Sequence, residues 1–235
     1  MIGHSPMFLL PDPHVKGGSM TGPGDLSSAA QLYDSLGQDY EDAFGEQPGV
    51  GTALADLLSR LAGGAQVLDL GAGTGRPVAA AVAAAGHDVT GYDVSETMVN
   101  LARRHVPQAR FEVADMRALT FADGSWDVVL TMFSMLQLSQ ADQRDMLGRI
   151  ARWLQPGGFL VFATVPHPPG CNGRIGEWMG HTVETFSFPA PTLRQLVGDV
   201  GLQVVREDVV EFTPASDQAD VEPQVYLTAC KPAVE

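Results

Sequence analysis

The 235-residue chain has few cysteines, few basic side chains and no long hydrophobic run. Its two cysteines, Cys171 and Cys230, form neither a disulfide framework nor a metal-binding spacing, which favours a reducing cytoplasm as its location. Only 14 lysines and arginines stand against 28 acidic residues, and Arg103-Arg104 is the one adjacent basic pair, which argues against nucleic acid as a partner. No apolar run approaches the ~20 residues of a membrane span. The sequence therefore predicts a protein that binds neither nucleic acid nor membrane.

Residues 1–25 are rich in proline, glycine and serine, and we expect them to be loosely ordered. They are either a native tail or a leader from an expression vector, with Met20 the natural start in the second case. The rest of the chain, residues 26–235, has the length of one α/β domain with a substantial core. Within it, residues 26–62 are predicted to form N-terminal helices that act as a lid.

Short apolar segments alternate with helical patterns from Ala65 to Val200. The alternation predicts a doubly wound, Rossmann-like α/β fold with a seven-stranded, mostly parallel sheet covered on both faces. In such a sheet, ligands bind at the carboxyl ends of the strands, beside the switch point. The predicted strands are residues 65–70, 87–93, 109–115, 126–132, 159–165, 203–212 and 224–231.

Several helix starts have recognisable sequence signals. Pro77 suits a first helical turn, Ser95 is a predicted N-cap, and Ser139 is followed three residues later by an acidic side chain. Thr192 and Gln195 have the spacing of a capping box before the last helix. The segment between strand five and that helix, residues 166–190, is predicted to be an irregular insert.

The glycine-rich stretch VLDLGAGTG, residues 67–75, follows the first strand and indicates a nucleotide-type cofactor. A dinucleotide fingerprint needs its third glycine where Arg76 stands, and the lysine of a phosphate loop is absent. Asp93 closes the second strand 18 residues after Gly75, where a carboxylate can accept hydrogen bonds from both ribose hydroxyls. The pattern thus predicts a ribose-containing cofactor other than NAD or a nucleoside triphosphate.

Five segments in register extend this pattern: VLDLGAGTG, GYDVS, VADMRALTF, WDVVLTMFSMLQL and IARWLQPGGFLVFAT. In order and spacing they resemble the class I S-adenosylmethionine-dependent methyltransferases, from about Leu32 to Lys231. The segment YDSLGQDY resembles the lid of the small-molecule branch, in which Tyr33 and Tyr40 would close over the cofactor. The resemblance implies S-adenosylmethionine as cofactor, S-adenosylhomocysteine as product and a small-molecule acceptor.

The resemblance also implies which residues bind the cofactor. Asp69 begins the loop motif, and Gly71, Ala72 and Gly73 pass along the methionine part, while Asp93 binds the ribose. Around the adenine, Asp115 would accept a hydrogen bond from the amino group, and a backbone N–H would reach the ring. The residues expected around the adenine are Val94, Met98, Asp115 and Met116, while Met132 and Phe133 would line the pocket after strand four. Met98 also lies on the apolar face of its helix, so a core role stays open.

The segment after strand four narrows the class of acceptor. Enzymes of this fold that act on adenine or protein amides carry Asn-Pro-Pro-Tyr or a variant there, and those that attack cytosine carry Pro-Cys, whereas this chain has TMFSMLQL. A small molecule is therefore the expected acceptor. Gln137 lies where many relatives have a histidine.

The insert at residues 166–190 is too long and too aromatic for an ordinary connection, so we expect it to contact the acceptor. His167 and His181 are its only histidines, and each is either the catalytic base or a structural residue. Arg174 would bind an acceptor carboxylate or else pair with Glu177 at the surface. The residues expected to contact the acceptor are Gln137, Arg174, Trp178 and Met179. Cys171 has no activating partner visible in the sequence.

Three functions fit these observations: methyl transfer to an O, N, S or C atom of a small metabolite, a cyclisation in which the cofactor is not consumed, and a binding module. No metal is expected, since no Cys/His cluster is present. We expect a monomer or a homodimer.

Overall fold

The computed structural model describes residues 26–45, 47–215 and 221–233. The expectation for residues 1–25 lies outside the described residues. The strands are β1 Gln66–Leu70, β2 Asp88–Asp93, β3 Arg110–Val113, β4 Trp126–Met132, β5 Leu154–Thr164, β6 Arg174–Trp178, β7 His181–Thr185, β8 Gln203–Phe212 and β9 Glu222–Cys230.

Seven of these strands form one sheet in the order β3-β2-β1-β4-β5-β9-β8. All run parallel except β9, which pairs antiparallel with both β5 and β8. The strand order reverses between β1 and β4. This switch point places the expected ligand crevice at the carboxyl ends of these two strands. The predicted doubly wound, mostly parallel sheet is confirmed.

Seven α-helices are described, and the longer ones cover the sheet. They are α1 Leu26–Leu36, α2 Gln38–Phe44, α3 Pro48–Arg60, α4 Val78–Ala84, α5 Glu96–His105, α6 Gln140–Trp153 and α7 Ala190–Asp199. The predicted caps of α5 and α6 are confirmed, because the hydroxyls of Ser95 and Ser139 accept hydrogen bonds from backbone N–H groups in the first turns, at 3.1 Å each. The capping box at Thr192 is wrong. The N-cap of α7 is Pro189, three residues before Thr192, and Pro191 has a φ that suits the first helical turn.

Two hydrophobic clusters lie on opposite faces of the sheet. One cluster joins the sheet to α6 and α7, and the other joins it to α3, α4 and α5. Strand β4 is buried on both faces, and Val128, Val129 and Leu130 are fully inaccessible to solvent. Burial on both faces explains why the central strands read as continuous apolar runs without alternation.

The insert after β5 is an antiparallel hairpin, which corrects the prediction of an irregular segment. Strand β6 pairs with β7, and the turn consists of Met179 and Gly180, with φ values of +52° and +76°. Two-residue turns with positive φ at both positions match the twist of a hairpin. A methionine at the first position is not the usual signal for such a turn, so the sequence pattern did not predict the hairpin. Strand β5 also begins earlier than predicted, at Leu154, and takes in the Gln-Pro-Gly-Gly segment.

Candidate functional site

The loop after β1 is shaped by glycine and by close packing with the loop after β4. Gly71 has a φ of +74°, and a Cβ there would lie 2.2 Å from the Cβ of Ser134. Its backbone N–H donates to the carbonyl of Tyr92 at 2.7 Å. Only glycine satisfies both the conformation and the available space. The loop therefore bends sharply at the switch point and leaves a crevice along the ends of β1, β2 and β4.

Asp93 ends β2 at the side of this crevice. Its Oδ2 accepts from the backbone N–H of Gly73 at 2.9 Å, and its Oδ1 accepts from that of Ser95 at 3.0 Å. Burial raises the pKa of Asp93, and these backbone hydrogen bonds act in the opposite direction. An ionised carboxylate has about four acceptor positions. Each oxygen thus has a lone pair left for a ligand hydroxyl.

Asp69, the acidic residue of the glycine motif, is buried at the other end of the crevice. Its Oδ2 has no hydrogen-bond partner among the described residues. Burial, and secondly the nearby charge of Asp93, raise the pKa of Asp69 to about 7. Close by, Gln47 has a buried Oε1 that is also without a partner. Two unpaired oxygens at one end of a crevice fit a ligand group that donates hydrogen bonds or carries positive charge.

The structure brings all the expected cofactor residues together except Asp115. The carboxylate of Asp115 contacts the Arg117 guanidinium at 3.0 Å and accepts from the Arg117 backbone N–H at 2.8 Å. Arg117 thus competes with an adenine amino group for the Asp115 carboxylate. The residues that line the crevice are Tyr33, Tyr40, Asp69, Gly71, Ala72, Gly73, Asp93, Val94, Met98, Met116, Met132 and Phe133.

The lid, which consists of α1 and α2, is anchored beside the crevice by Asp34. The Oδ1 of Asp34 accepts from the Ser95 hydroxyl at 2.5 Å and from the Thr97 backbone N–H at 3.0 Å, so α1 is fixed to the first turn of α5. Tyr33 and Tyr40 then cover the crevice with ring centroids 5.6 Å apart. Burial is the main cause that raises the pKa of both phenols, so they stay protonated near neutral pH.

The β6–β7 hairpin packs against this lid through aromatic rings. Trp178 lies 6.3 Å from Tyr33, 6.1 Å from Tyr40 and 5.4 Å from Phe44, measured between ring centroids. The foot of the hairpin is fixed by Gln143 of α6, whose side-chain amide donates to the carbonyls of Met135, Leu138 and Phe186. The lid and the hairpin therefore close over the carboxyl edge of the sheet from two sides.

A second cavity of about 1240 Å³, the outer cavity, lies between the lid, the hairpin and the start of β9. Its lining is dominated by proline, aromatic and aliphatic side chains. The outer cavity and the crevice share lining residues, among them Tyr33, Tyr40, Phe133 and Gln137. Phe133 has a φ of +60°, which is unusual for a side chain other than glycine and is typical of functional sites. The two spaces therefore meet at one wall.

The expected acceptor residues fall into two groups. Gln137, Arg174, Trp178 and His167 line the outer cavity. Met179 lies at the hairpin turn and packs with Trp178 against the lid. His181 is not among the residues that line the cavity, and its Nε2 is 3.4 Å from the Ser35 hydroxyl of α1. Of the two candidates for the catalytic base, His167 therefore lines the outer cavity and His181 does not.

His167 is buried and has two polar neighbours. Its Nε2 lies 3.3 Å from the Thr185 hydroxyl and its Nδ1 lies 3.7 Å from the Cys171 thiol. Burial, and secondly the charge of Arg174, lower the pKa of His167. Cys171 therefore has a histidine partner that the sequence did not reveal.

Sequence reasoning missed three polar residues on one face of β9. Glu222, Gln224 and Tyr226 alternate along the strand, and the first two line the outer cavity. The Tyr226 hydroxyl donates to Gln224 Oε1 at 2.5 Å, and Gln224 Nε2 donates to Glu222 Oε1 at 3.0 Å. The signal was available as the polar, period-two pattern Glu-x-Gln-x-Tyr at the start of the last strand.

Within residues 26–45, 47–215 and 221–233, no group of three or more His, Cys, Asp or Glu side chains could hold a metal ion. In the same part of the chain, no helix has the length and hydropathy to cross a membrane.

Comparison with known proteins agrees with this geometry. Residues 67–158 match a family model described as a methyltransferase domain. An O-methyltransferase from Penicillium expansum is 30% identical over 74% of this chain and 68% of that protein. A demethylmenaquinone methyltransferase from Thermus thermophilus is 38% identical over 64% of this chain and 80% of that protein. Two further curated relatives are matched over 50% and 57% of their own length.

Solved structures share the fold. A Burkholderia thailandensis 1,6-didemethyltoxoflavin-N1-methyltransferase, with 1,6-didemethyltoxoflavin and S-adenosylhomocysteine bound, has a TM-score of 0.69 at 22% identity. The match covers 92% of this chain and 93% of that one. The cyclase SpnF has a TM-score of 0.65 at 20% identity and covers 88% of this chain and 96% of that one. The crevice fits the cofactor that the family implies, since Asp69 and Gln47, each with an unpaired buried oxygen, line one end of it and Asp93 lies at its side. The chain belongs to the S-adenosylmethionine-dependent methyltransferases, and S-adenosylmethionine is its cofactor.

Proposed function

We propose that this methyltransferase transfers the methyl group to a small, largely apolar metabolite bound in the outer cavity. The observation that carries the proposal is the shared wall of Tyr33, Tyr40, Phe133 and Gln137, through which the outer cavity meets the crevice. A cavity of about 1240 Å³ has room for a molecule of metabolite size. Its apolar lining favours an acceptor with substantial hydrophobic surface.

The residues of the crevice support a division of roles. Asp93 would accept from the ribose hydroxyls with its two remaining lone pairs, and the buried oxygen of Asp69 would face the positive end of the methionine part. Val94 and Met98 would contact the adenine, with the Met116 backbone N–H directed at the ring. Asp115 would accept a hydrogen bond from the adenine amino group with a carboxylate lone pair that Arg117 does not occupy.

Bound S-adenosylmethionine supplies a methyl group that is already activated for displacement. The chain must then hold the acceptor atom about 3 Å from that methyl and exclude water, because positioning supplies much of the rate. The lid and hairpin rings of Tyr33, Tyr40 and Trp178 suit both tasks. His167 is buried against the outer cavity and neutral at pH 7, and so it can accept a proton. His181, at the side of α1, remains a weaker candidate for the base.

A cyclisation without methyl transfer is the second candidate, and the likeness of fold to a cyclase is the observation that favours it. The two functions differ in whether the cofactor is consumed. We therefore propose incubating the purified protein with cofactor labelled in its methyl group and a panel of phenols, amines, thiols and quinones. Label in an organic-soluble product, with equimolar S-adenosylhomocysteine, supports methyl transfer, whereas acceptor conversion without loss of cofactor supports cyclisation.

We also propose where the enzyme acts, its oligomeric state and which partners it does not bind. Cys171 and Cys230 are both free thiols, which suits a reducing cytoplasm. The formal net charge of −14 argues against nucleic acid as a partner. The proposal is completed by a monomer or homodimer that acts in secondary metabolism and binds no membrane.

A further inference from the structure

We propose that Glu222 is the acceptor-binding carboxylate of the outer cavity and that the acceptor therefore presents an O–H or N–H group to it. The proposal rests on the proposed function, because it assumes that the acceptor occupies the outer cavity. It would assign the proton-accepting role to a residue at the start of β9 rather than to His167 or His181.

The topology places Glu222 at the functional edge of the sheet. Strand β9 runs antiparallel to β5, with Val225 paired to Thr164, so β9 begins where β5 ends. The start of β9 is thus level with the carboxyl ends of the parallel strands, which is where ligands bind in this architecture. Glu222 lines the outer cavity and is half-buried.

Neighbouring residues hold the Glu222 carboxylate in a defined position. The hydrogen-bond chain from Tyr226 through Gln224 ends on Glu222 Oε1. Tyr226 and Gln224 are both buried, and the Tyr226 ring lies against Gly49, where a Cβ would approach it to 2.4 Å. The same ring contacts Phe133 at a centroid distance of 5.6 Å. A rigid support of this kind is needed for a group that must meet a ligand in one geometry.

The second oxygen, Glu222 Oε2, accepts no hydrogen bond from any residue that the structure describes. Burial is the main cause that raises the pKa of Glu222, and the hydrogen bond from Gln224 opposes the shift. Glu222 Oε2 is not one of the buried oxygens without a partner, so it is open to the cavity and can accept a hydrogen bond from a ligand.

Two side chains of the cavity lining also have an oxygen without a partner. The buried Oε1 atoms of Gln47 and Gln137 have no hydrogen-bond donor among the described residues, and both side chains line the outer cavity. Glu222 Oε2 is therefore the acceptor oxygen that a ligand can reach directly, and the Gln137 amide lines both this cavity and the crevice. A molecule with a hydroxyl or amine group donates to Glu222 Oε2, whereas a fully alkylated ether or tertiary amine leaves this oxygen unpaired.

The chemical step balances with Glu222 as proton acceptor. The lone pair of the acceptor's oxygen or nitrogen forms the new bond to the methyl carbon, and the carbon–sulfur bond breaks with its electron pair on sulfur. The acceptor's proton passes to Glu222 Oε2, which releases it to solvent after the product leaves. Sulfur becomes neutral, and the methylated acceptor gains no net charge.

Binding of a matched pair of probes tests the inference without knowledge of the natural acceptor. We would titrate 2-naphthol and its methyl ether, 2-methoxynaphthalene, into the protein saturated with S-adenosylhomocysteine. Only the first probe donates a hydrogen bond, and the two are otherwise similar in shape. The wild type should bind the naphthol at least tenfold more tightly, and Glu222→Gln should reduce that ratio below about threefold.

Glu211→Gln is the matched control. Glu211 lies on β8 beside the start of β9, is exposed, and loses the same charge. This variant should keep the wild-type ratio, and both variants should bind S-adenosylhomocysteine within twofold of the wild type. For any panel member that is methylated, Glu222→Gln should lower kcat by 10²-fold or more, with partial recovery in Glu222→Asp.

Several results would overturn the inference. Equal binding of the two probes by the wild type, or a ratio that survives in Glu222→Gln, removes Glu222 as the acceptor-binding group. A ratio lost equally in Glu211→Gln shows a general charge effect. If both probes bind equally and labelled methyl is still transferred, the proposed function survives without the inference. If neither probe binds, the outer cavity is not the acceptor site and both fail.

Discussion

Asp93 is the residue whose role in the crevice is most directly testable. Its carboxylate holds the glycine loop through Gly73 and retains lone pairs for two ribose hydroxyls. We expect Asp93→Ala to weaken S-adenosylhomocysteine binding by about 2–4 kcal/mol, because hydrogen bonds to a charged acceptor are lost. Calorimetric titration gives the affinity directly. Asp88→Ala is the control, since Asp88 begins the same strand at the far edge of the sheet and is exposed. Unchanged affinity in Asp93→Ala would remove the ribose assignment.

Asp69 gives the stability of the folded protein a pH dependence that can be measured without cofactor. Its pKa in the folded state is raised to about 7, above the ~3.9 of an unfolded aspartate, so the folded state binds more protons between these values. The free energy of unfolding therefore falls as pH rises from about 4 to about 7 and is lowest above that range.

Asp69→Asn should remove this decrease in the free energy of unfolding, because asparagine does not ionise. Without cofactor, the variant should match the wild type near pH 4 and be more stable at pH 8, by on the order of 2–4 kcal/mol. Urea unfolding at pH 4.5, 6 and 8 measures the difference. The same variant should bind S-adenosylmethionine more weakly, since it lacks the charge that faces the positive end of the methionine part. Identical pH dependence in the two proteins would contradict the buried, unpaired state of Asp69.

At the scale of elements, the hairpin and the lid act as one cover. Trp178 joins them through three aromatic contacts, each worth about 0.5–1.5 kcal/mol beyond its buried area. We expect Trp178→Ala to lower kcat/KM for a methylated acceptor by tenfold or more, while cofactor affinity changes by less than tenfold. Steady-state kinetics and calorimetry test the two parts separately.

Trp126→Phe is the comparison for this prediction, because Trp126 begins β4 at the opposite edge of the sheet. It should affect thermal stability and leave the acceptor kinetics unchanged. If Trp178→Ala also changes only the melting temperature, the hairpin is a scaffold and the acceptor contacts lie nearer the lid and Glu222.

At the scale of the whole molecule, the acidic residues are scattered over the described chain and do not form a cluster of metal ligands. We therefore expect turnover to be the same after treatment with EDTA and after addition of Mg²⁺. The measurement is the rate of label transfer in metal-free buffer and in buffer with millimolar magnesium. Activity lost with EDTA and restored by magnesium would show that the acidic side chains, with the acceptor, form a chelating site.

The sequence by itself determined the sheet, the helices around it and the cofactor loop. Each of these features depends on short-range rules: buried parallel strands read as apolar runs, Ser95 and Ser139 cap the helices that follow them, and Gly71 needs a positive φ. The cofactor residues follow successive strands, so their convergence at one edge follows from parallel topology alone.

Only the tertiary structure decided which residues face the acceptor. The hairpin turn at Met179 lacks the usual residue pair, and the contact between Cys171 and His167 depends on how the chain bends between them. Glu222 lies 58 residues after Thr164, and only the antiparallel return of β9 brings its start beside the end of β5. Long-range pairing of this kind is absent from local sequence patterns, because sheet order and strand direction fix it rather than spacing along the chain.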